Sequence, residues 1–206
     1  MPGSSILPVA LHNGKLYFLF GKENPMEDSA RGFSDFGGGV DAGESLFEAA
    51  MREGSEELTG FLGNPNQLKS HIKKNGGTYK IVNVDPEDPE RVYTIHVFQF
   101  DYDPLLPEYY NRNHQFLWNR MNKRDLNSSK LFEKIEIDWF CETELKRRMS
   151  EYRPFYRKMV RRLIAELPEI RKFLSKCKSR RRGGARTKDK RSPSKRRNRT
   201  MRGGKR

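Results

Sequence analysis

Residues 38–57 read GGVDAGESLFEAAMREGSEE, a glycine-rich run followed by regularly spaced charges. If the second half of this stretch is a helix, Glu53, Glu56 and Glu57 lie at i, i+3 and i+4 and share one arc of its surface. Like charges at these offsets repel each other, whereas hard divalent cations bind carboxylate oxygens. The pattern therefore indicates a cation site, and a solvated acidic face is the competing interpretation.

The sequence also marks where this helix begins. Gly43 permits a sharp turn, and Ser45 with Glu48 has the S-x-x-E spacing of a capping box. An apolar stripe that packs inward is expected opposite the glutamates, formed by Phe47, Ala50, Met51 and Leu58. We therefore expect the carboxylates to face outward, toward the glycine-rich loop.

The stretch resembles the signature of the Nudix hydrolases, G-x5-E-x7-R-E-U-x-E-E-x-G-U, where U is a bulky aliphatic residue. The six matching positions are Gly38, Glu44, Arg52, Glu53, Glu56 and Glu57.

Two positions depart from that pattern. Gly54 occupies the first U position, where it costs the helix about 1 kcal/mol relative to alanine. It either admits another side chain or strand closely or loosens the helix. Gly60 arrives one residue late, and we expect it to change the turn that leaves the helix and not the metal site.

The resemblance implies an α/β fold, the Nudix α/β/α sandwich with a mixed sheet. The flanking sequence agrees, because Asn13-Gly14 is a strong hairpin signal and short runs rich in β-branched and aromatic residues follow downstream. The expected strands are residues 6–11, 15–21, 78–84, 91–101 and 135–140. Residues 144–176 have a mostly helical pattern interrupted by Pro154 and Pro168.

The resemblance also implies metal-dependent hydrolysis of a pyrophosphate bond, with Glu53, Glu56 and Glu57 holding Mg²⁺ or Mn²⁺. Divalent ions neutralise phosphate oxygens and make a bound water a better nucleophile. The backbone of Gly38 is expected to supply a ligand or to approach the phosphates, together with Gly37 and Gly39.

Supporting roles follow from the same resemblance. Arg52 is expected to pair with a signature glutamate and orient it. Glu44 is expected to support the loop or to reach the metal through water. The general base varies in the family; it is a signature glutamate or a late carboxylate, with Glu136 favoured over Glu133 for its place beside Trp139.

Charge divides the chain into two regions. Residues 177–206 contain 15 of the 41 basic residues and one of the 27 acidic residues, a net charge of +14 that equals that of the whole chain. With little apolar content, this segment is expected to be disordered. We therefore predict a Nudix domain at residues 1–176, which includes a basic C-terminal helix, and a disordered basic tail at residues 177–206.

Such a tail binds polyanions by releasing counterions, so RNA is the expected partner. A nuclear-import signal and a solubilising tail are the competing interpretations. The RNA-contacting residues are expected to be Arg180, Arg181, Arg182, Lys195, Arg196 and Arg197. The helix before the tail is also basic, and its Lys158 and Arg161 either extend the phosphate-binding strip or form a solvated face.

The substrate is expected to be anionic and phosphorylated. Our first hypothesis is the 5′ cap of RNA, cleaved at its phosphoanhydride. The alternatives are a diphosphoinositol polyphosphate, a dinucleoside polyphosphate, or no substrate at all if the protein is a non-catalytic RNA-binding scaffold. Residues 105–129 are expected to form a variable loop whose aromatic residues either stack on a base or pack locally: Tyr109, Tyr110, Phe116 and Trp118.

Cysteine content and hydropathy indicate the cellular compartment of the protein. Cys141 and Cys177 are the only cysteines, so a disulfide framework is not expected and a reducing compartment fits. No apolar run approaches the length of a membrane span, and residues 1–10 lack the layout of a signal peptide. We expect an intracellular protein of the cytoplasm or nucleus. Basic tails on such domains also look like those of large DNA viruses, in which case the compartment is the host cell's.

Overall fold

The computed structural model describes residues 2–24, 31–122, 124–125 and 133–186, with side chains up to residue 177. The strands are β1 (Gly3–His12), β2 (Lys15–Glu23), β3 (Phe33–Ser34), β4 (Phe36–Gly39), β5 (Thr78–Val84), β6 (Val92–Gln99) and β7 (Lys134–Cys141). The helices are α1 (Leu46–Glu57), α2 (Pro65–Lys74), α3 (Leu105–Trp118) and α4 (Arg157–Arg186), and a 3₁₀ turn at Met149–Glu151 precedes α4.

The hairpin predicted from Asn13-Gly14 is present. β1 and β2 are antiparallel, with His12 opposite Lys15, and both turn residues have positive φ, 48° at Asn13 and 76° at Gly14. This is the backbone that a two-residue turn needs to match the twist of its strands.

A single mixed sheet of seven strands organises the described part of the chain. β1 pairs in parallel with β6 on one edge, and in antiparallel with β4 and then β2 on the other. β5 continues the sheet beyond β6, while β3 and β7 both pair with β2.

Two apolar cores lie on opposite faces of this sheet. One packs side chains of α4 against β1, β2, β5 and β6, and includes Phe18, Val160 and Leu163. The other packs α1, α2 and α3 against the opposite face, and includes Ile6 and Met51. The fold is therefore an α/β/α sandwich with a mixed sheet, and the predicted fold class is confirmed.

Several predictions about helices were wrong. Leu105–Trp118 is helix α3 and not a loop, and helix α2 was not predicted at all. Pro168 does not interrupt α4. The lost backbone hydrogen bond is compensated by buried side chains on both sides of the proline, such as Leu163 and Ile170.

The predicted boundary after residue 176 falls inside α4, which runs to Arg186. Cys177 is buried, and its Sγ lies beside Gly76, where a Cβ would approach it to 2.5 Å. The side chain of Cys177 therefore packs with the domain. Residues 187–206 lie outside the described residues.

Cys141 and Cys177 are both buried. Across the helices that the structure describes, none is long and apolar enough to cross a membrane.

Candidate active site

Helix α1 starts at the predicted capping box. The Glu48 N–H donates to Ser45 Oγ over 3.3 Å, and the Ser45 N–H donates to the Glu48 carboxylate over 3.1 Å. The helix then packs against β1 and β4. Because its first turn is fixed in this way, each later carboxylate has a defined position relative to the glycine strand β4.

Gly54 provides the space for close packing against β1. A Cβ at this position would lie 2.3 Å from Cδ1 and 2.4 Å from Cγ1 of Ile6, a fully buried residue. Of the two interpretations of this departure, close approach by another side chain is therefore the correct one.

The late glycine changes the exit from α1. Thr59 has φ of 50° and Gly60 has φ of 72°, so two successive residues adopt the left-handed conformation. Glycine tolerates this conformation and a β-branched residue does not. The departure therefore places backbone strain at Thr59, after the last carboxylate.

Four carboxylates surround the guanidinium of Arg52. It donates to Glu44 through Nε and Nη2, both at 2.9 Å, and to Glu53 through Nη1 at 2.7 Å. Asp41 lies 3.3 Å and Glu56 3.9 Å away. The hydrogen bonds to Glu44 are the main reason that the pKa of Arg52 is raised. Four formal negative charges therefore face one positive charge at this end of the site.

The glycine strand admits two glutamates at close range. A Cβ on Gly38 would meet the Glu53 carboxylate at 2.6 Å, and the Gly37 N–H donates to Glu57 Oε2 over 2.7 Å. The Gly39 carbonyl accepts a hydrogen bond of 3.1 Å from the Arg52 guanidinium. A side chain at Gly38 would displace the Glu53 carboxylate, and a Cβ on Gly37 would lie 2.3 Å from the Ser4 carbonyl oxygen, which explains glycine at these two positions.

Glu57 does not face outward as expected. It is buried, with Oε1 3.1 Å from Nζ of Lys134, a lysine that is itself only 1% exposed. Lys134 also donates to Glu23 and, over 3.0 Å, to Ser34, and Glu23 pairs in turn with Arg153. The third signature carboxylate thus belongs to a buried ion cluster beneath the glycine strand.

Burial determines how this cluster titrates. It raises the pKa of Glu57 to about 8, against the opposing effect of Lys134. Burial acts to lower the pKa of Lys134, but the charges of Glu57 and Glu23 outweigh it, so this pKa is raised. The lysine therefore keeps its charge, and Glu57 binds a proton more readily than an exposed glutamate does.

A second buried carboxylate lies next to the glycine strand. Asp35 accepts hydrogen bonds from the Ser5 hydroxyl over 2.5 Å and from the Tyr93 hydroxyl over 2.9 Å. Burial is the main reason that its pKa is raised to about 6. Neither Asp35 nor the Glu23–Lys134 pair was predicted. Lys134, a charged residue at the start of an apolar strand, was the available signal.

The three signature glutamates do not form a ready-made metal site. Across the described residues, no three His, Cys, Asp or Glu side chains are placed together as metal ligands. The reason is that Glu57 is held by Lys134, while Glu53 and Glu56 lie on the Arg52 side. The donors still suit a hard divalent cation, because they are carboxylates in excess over the nearby positive charge.

The candidate general base lies apart from this cluster. Glu136 forms an ion pair of 3.0 Å with Lys22 across β2 and β7. Among the described residues, no hydrogen bond or ion pair links Glu136 to the α1 glutamates. The main-chain carbonyl of Glu133 accepts the Asn24 N–H over 3.0 Å.

The aromatic residues of α3 are divided between core and surface. Tyr110 is fully buried, and its hydroxyl donates to the carbonyls of Glu57 and Lys134, both at 3.0 Å, so it is not available to stack on a base. Tyr109 and Phe116 are exposed.

The residues proposed to contact RNA cannot be placed in full. Arg180, Arg181 and Arg182 fall within α4, but their side chains are not described. The remaining three, Lys195, Arg196 and Arg197, lie outside the described residues.

No protein-family model matches the chain, and no curated protein is similar to it. Solved structures resemble it weakly. The C. elegans Ap4A hydrolase in a binary complex has 15% identity and a TM-score of 0.46, covering 81% of this chain and 98% of that one. RenU, a Nudix hydrolase from M. smegmatis, has 12% identity and a TM-score of 0.45, covering 82% and 88%. The Nudix domain of Shewanella oneidensis NrtR, complexed with ADP ribose, has 13% identity and a TM-score of 0.40, covering 82% and 86%. At these values the likeness establishes neither the family nor the activity of this chain.

Proposed function

We propose that the protein is a divalent-metal-dependent pyrophosphohydrolase that cleaves a phosphoanhydride bond in a substrate linked to a nucleoside diphosphate. The observation that carries this proposal is the excess of carboxylates around Arg52, directly beside the glycine strand that Glu53 contacts at Gly38. A phosphate chain can approach this bare backbone closely, and a polyanion needs cations between it and the glutamates.

In this proposal, Glu53 and Glu56 would hold Mg²⁺ or Mn²⁺, and Glu57, which is paired with Lys134 in the structure, would be the third ligand. When bound, the ion neutralises phosphate oxygens and lowers the pKa of water. Arg52 keeps Glu53 in position, and Glu44 links Arg52 to the loop through the Asp41 N–H, 3.2 Å away. The N–H of Gly37 orients Glu57.

The test measures metal binding and turnover separately. Glu53→Gln and Glu56→Gln are each expected to weaken Mn²⁺ binding in calorimetry and to abolish Mg²⁺- or Mn²⁺-dependent hydrolysis. Glu108→Gln is the matched control, because Glu108 is a carboxylate paired with Arg112 on α3, away from this site. Unchanged hydrolysis in both site variants would refute the assignment.

For the substrate we propose the 5′ cap of RNA, with diphosphoinositol or dinucleoside polyphosphates as alternatives. The support is the charge of the chain, whose excess of +14 lies after residue 176. Capped RNA, free cap analogue and both alternatives should be compared. Release of capped nucleoside diphosphate from long RNA, but poorly from free cap, is the expected result. Equal turnover of long and short substrates would contradict the RNA proposal.

The basic tail is proposed to bind RNA phosphates. Deletion of residues 187–206 should weaken RNA binding and reduce its salt dependence while leaving cleavage of small substrates intact. The deletion should start after residue 186 and not after 176, because the buried Cys177 would otherwise be lost. Nuclear import is the competing role, and fusion of residues 187–206 to a fluorescent protein tests it.

The non-catalytic scaffold remains the alternative of a different class. Gly54 would favour this alternative if it marked a degenerated helix. Since Gly54 accommodates Ile6, that reason no longer applies.

A further inference from the structure

A groove runs across the sheet from the glycine strand, on the face that α4 covers. Its floor consists of four residues that lie side by side on adjacent strands. Gly39 pairs with Gly3, Gly3 with Tyr93, and Tyr93 with Asn83. With strands about 4.8 Å apart, this row is about 14 Å long. The groove is therefore longer than the reacting phosphates alone require.

Two cavities lie along this row and meet at Arg91 and Tyr93, which line both. The first, of about 220 Å³, is bounded by Gly38 and Gly39. The second, of about 480 Å³, is bounded by Phe155, Lys158 and Arg161 at the start of α4. The two cavities thus form a continuous path from the glycine strand to the start of α4, and the α1 carboxylates lie across that strand, where Glu53 contacts Gly38 from the opposite face.

The chemistry of the groove changes along its length. Arg91 lies in the middle and two further cations lie at the far end, whereas Asp85 is the one carboxylate among the described lining residues. Asp85 is 3.9 Å from Arg91 and partly offsets it. Within the described residues, neither Lys158 nor Arg161 has a carboxylate at ion-pair distance. The net positive charge suits phosphate groups.

An exposed aromatic ring stands at the far end. Phe155 is 55% exposed, although the Arg153 guanidinium lies 4.6 Å from its ring centroid. A large apolar ring left in solvent beside cations is the combination that binds nucleotides, because the base stacks while the phosphates are neutralised. A phosphorylated inositol would use the cations but not the ring.

We infer that this groove binds the nucleoside part of the substrate, with the base stacked on Phe155 and the phosphates passing Arg91 toward the glycine strand. The inference rests on the proposed hydrolase function and makes it more specific: the substrate is a nucleotide, and base-free polyphosphates are excluded. It also places the base just before α4 and not on the exposed aromatic residues of α3.

The test measures binding and not turnover, with Mg²⁺ present to neutralise the phosphates beside the α1 carboxylates. GDP and inorganic pyrophosphate are titrated by calorimetry into the full-length protein and its variants. Phe155→Ala should weaken GDP binding about 5- to 150-fold, the range for one stacked base, and leave pyrophosphate binding unchanged. Phe155→Trp, which retains a ring, should restore GDP binding.

The chain offers two matched comparisons. Phe116 on α3 is 53% exposed with a guanidinium 3.8 Å from its ring, so Phe116→Ala removes a similar ring elsewhere. Arg162 pairs with Glu166, whereas its neighbour Arg161 lines the groove. Arg161→Ala should weaken binding of both ligands, and Arg162→Ala should not.

Three outcomes would overturn the inference: no GDP binding by the wild type at millimolar concentration, equal affinity in Phe155→Ala, or a greater loss in Phe116→Ala. Failure of the proposed function has a different signature. If GDP binding depends on Phe155 but no phosphoanhydride is cleaved with Mg²⁺ or Mn²⁺, the groove assignment stands and the hydrolase proposal fails.

Discussion

Replacing Gly54 by alanine is expected to destabilise the protein by about 1–2 kcal/mol, although alanine is the better helix former. Alanine gains about 1 kcal/mol over glycine inside a helix. The new Cβ, however, would lie 2.3 Å from Cδ1 of Ile6, far inside the usual carbon–carbon contact of about 3.5–4.0 Å. Overpacking of a core costs about 1–3 kcal/mol, and so close a contact belongs at the upper end of that range.

The effect of Gly54→Ala on stability should change sign when the Ile6 side chain is shortened. Ile6→Ala removes both clashing atoms and leaves the Ile6 Cβ, which would lie 3.6 Å from the new Cβ in ordinary contact. In that background, Gly54→Ala should stabilise by up to about 1 kcal/mol, the helix-propensity gain. Ile6→Ala alone should cost about 2–5 kcal/mol, because Ile6 is fully buried. The coupling between the two sites is therefore about 2–3 kcal/mol.

Urea unfolding of the wild type, the two single variants and the double variant measures this cycle. An unchanged m-value in each protein confirms that the same transition is being compared. The reasoning is refuted if Gly54→Ala stabilises the wild-type background, or if it destabilises both backgrounds equally.

Three further predictions concern stability. Folding raises the pKa of Asp35 from 3.8 to about 6. Below pH 3.8 the protonated Asp35 therefore contributes about 3 kcal/mol to the free energy of unfolding, and this contribution is lost as the pH rises to about 6. Urea titrations should show the stability of the wild type falling relative to Asp35→Asn over that window, and parallel pH profiles would contradict it. Thr59→Gly should relieve about 1 kcal/mol of left-handed strain and raise the Tm by about 2–4 °C in calorimetry; a lower Tm would show that Thr59 is not strained. Lys134→Met should lower the free energy of unfolding by about 3–5 kcal/mol, because it leaves buried carboxylates unpaired. Lys22→Met, at the more exposed pair with Glu136, should lower it by less than about 1 kcal/mol. Equal losses of stability would count against the buried cluster.

Features set by neighbouring residues could be predicted from the sequence. The Asn13-Gly14 turn and the Ser45–Glu48 capping box each depend on a few consecutive residues, and both are present as expected. Helix α2 has similar local signals, a capping box from Asn64 to Gln67 with Pro65 at its start, so it was predictable but was missed.

Features that depend on tertiary packing could not be read in this way. Lys134 and Glu23 are 111 residues apart, and their pairing in turn draws Glu57 inward. The sequence shows that three glutamates share a helix face. It does not show that a lysine from a distant strand forms an ion pair with one of them. Likewise, Pro168 suggests a helix break until its buried neighbours on α4 are known.

The parallel pairing of β1 with β6 has a consequence for synthesis of the chain. β1 ends at His12, whereas β6 is complete only at Gln99, so at about 5–20 residues per second the ribosome needs roughly 4 to 17 s to supply this partner. The antiparallel partners β2 and β4 are made much sooner. During the interval, one edge of a strand that is mostly buried in the folded protein has no partner strand and can pair with another nascent chain. Fragments that stop before residue 99 should therefore aggregate, whereas the full-length chain does not present this edge.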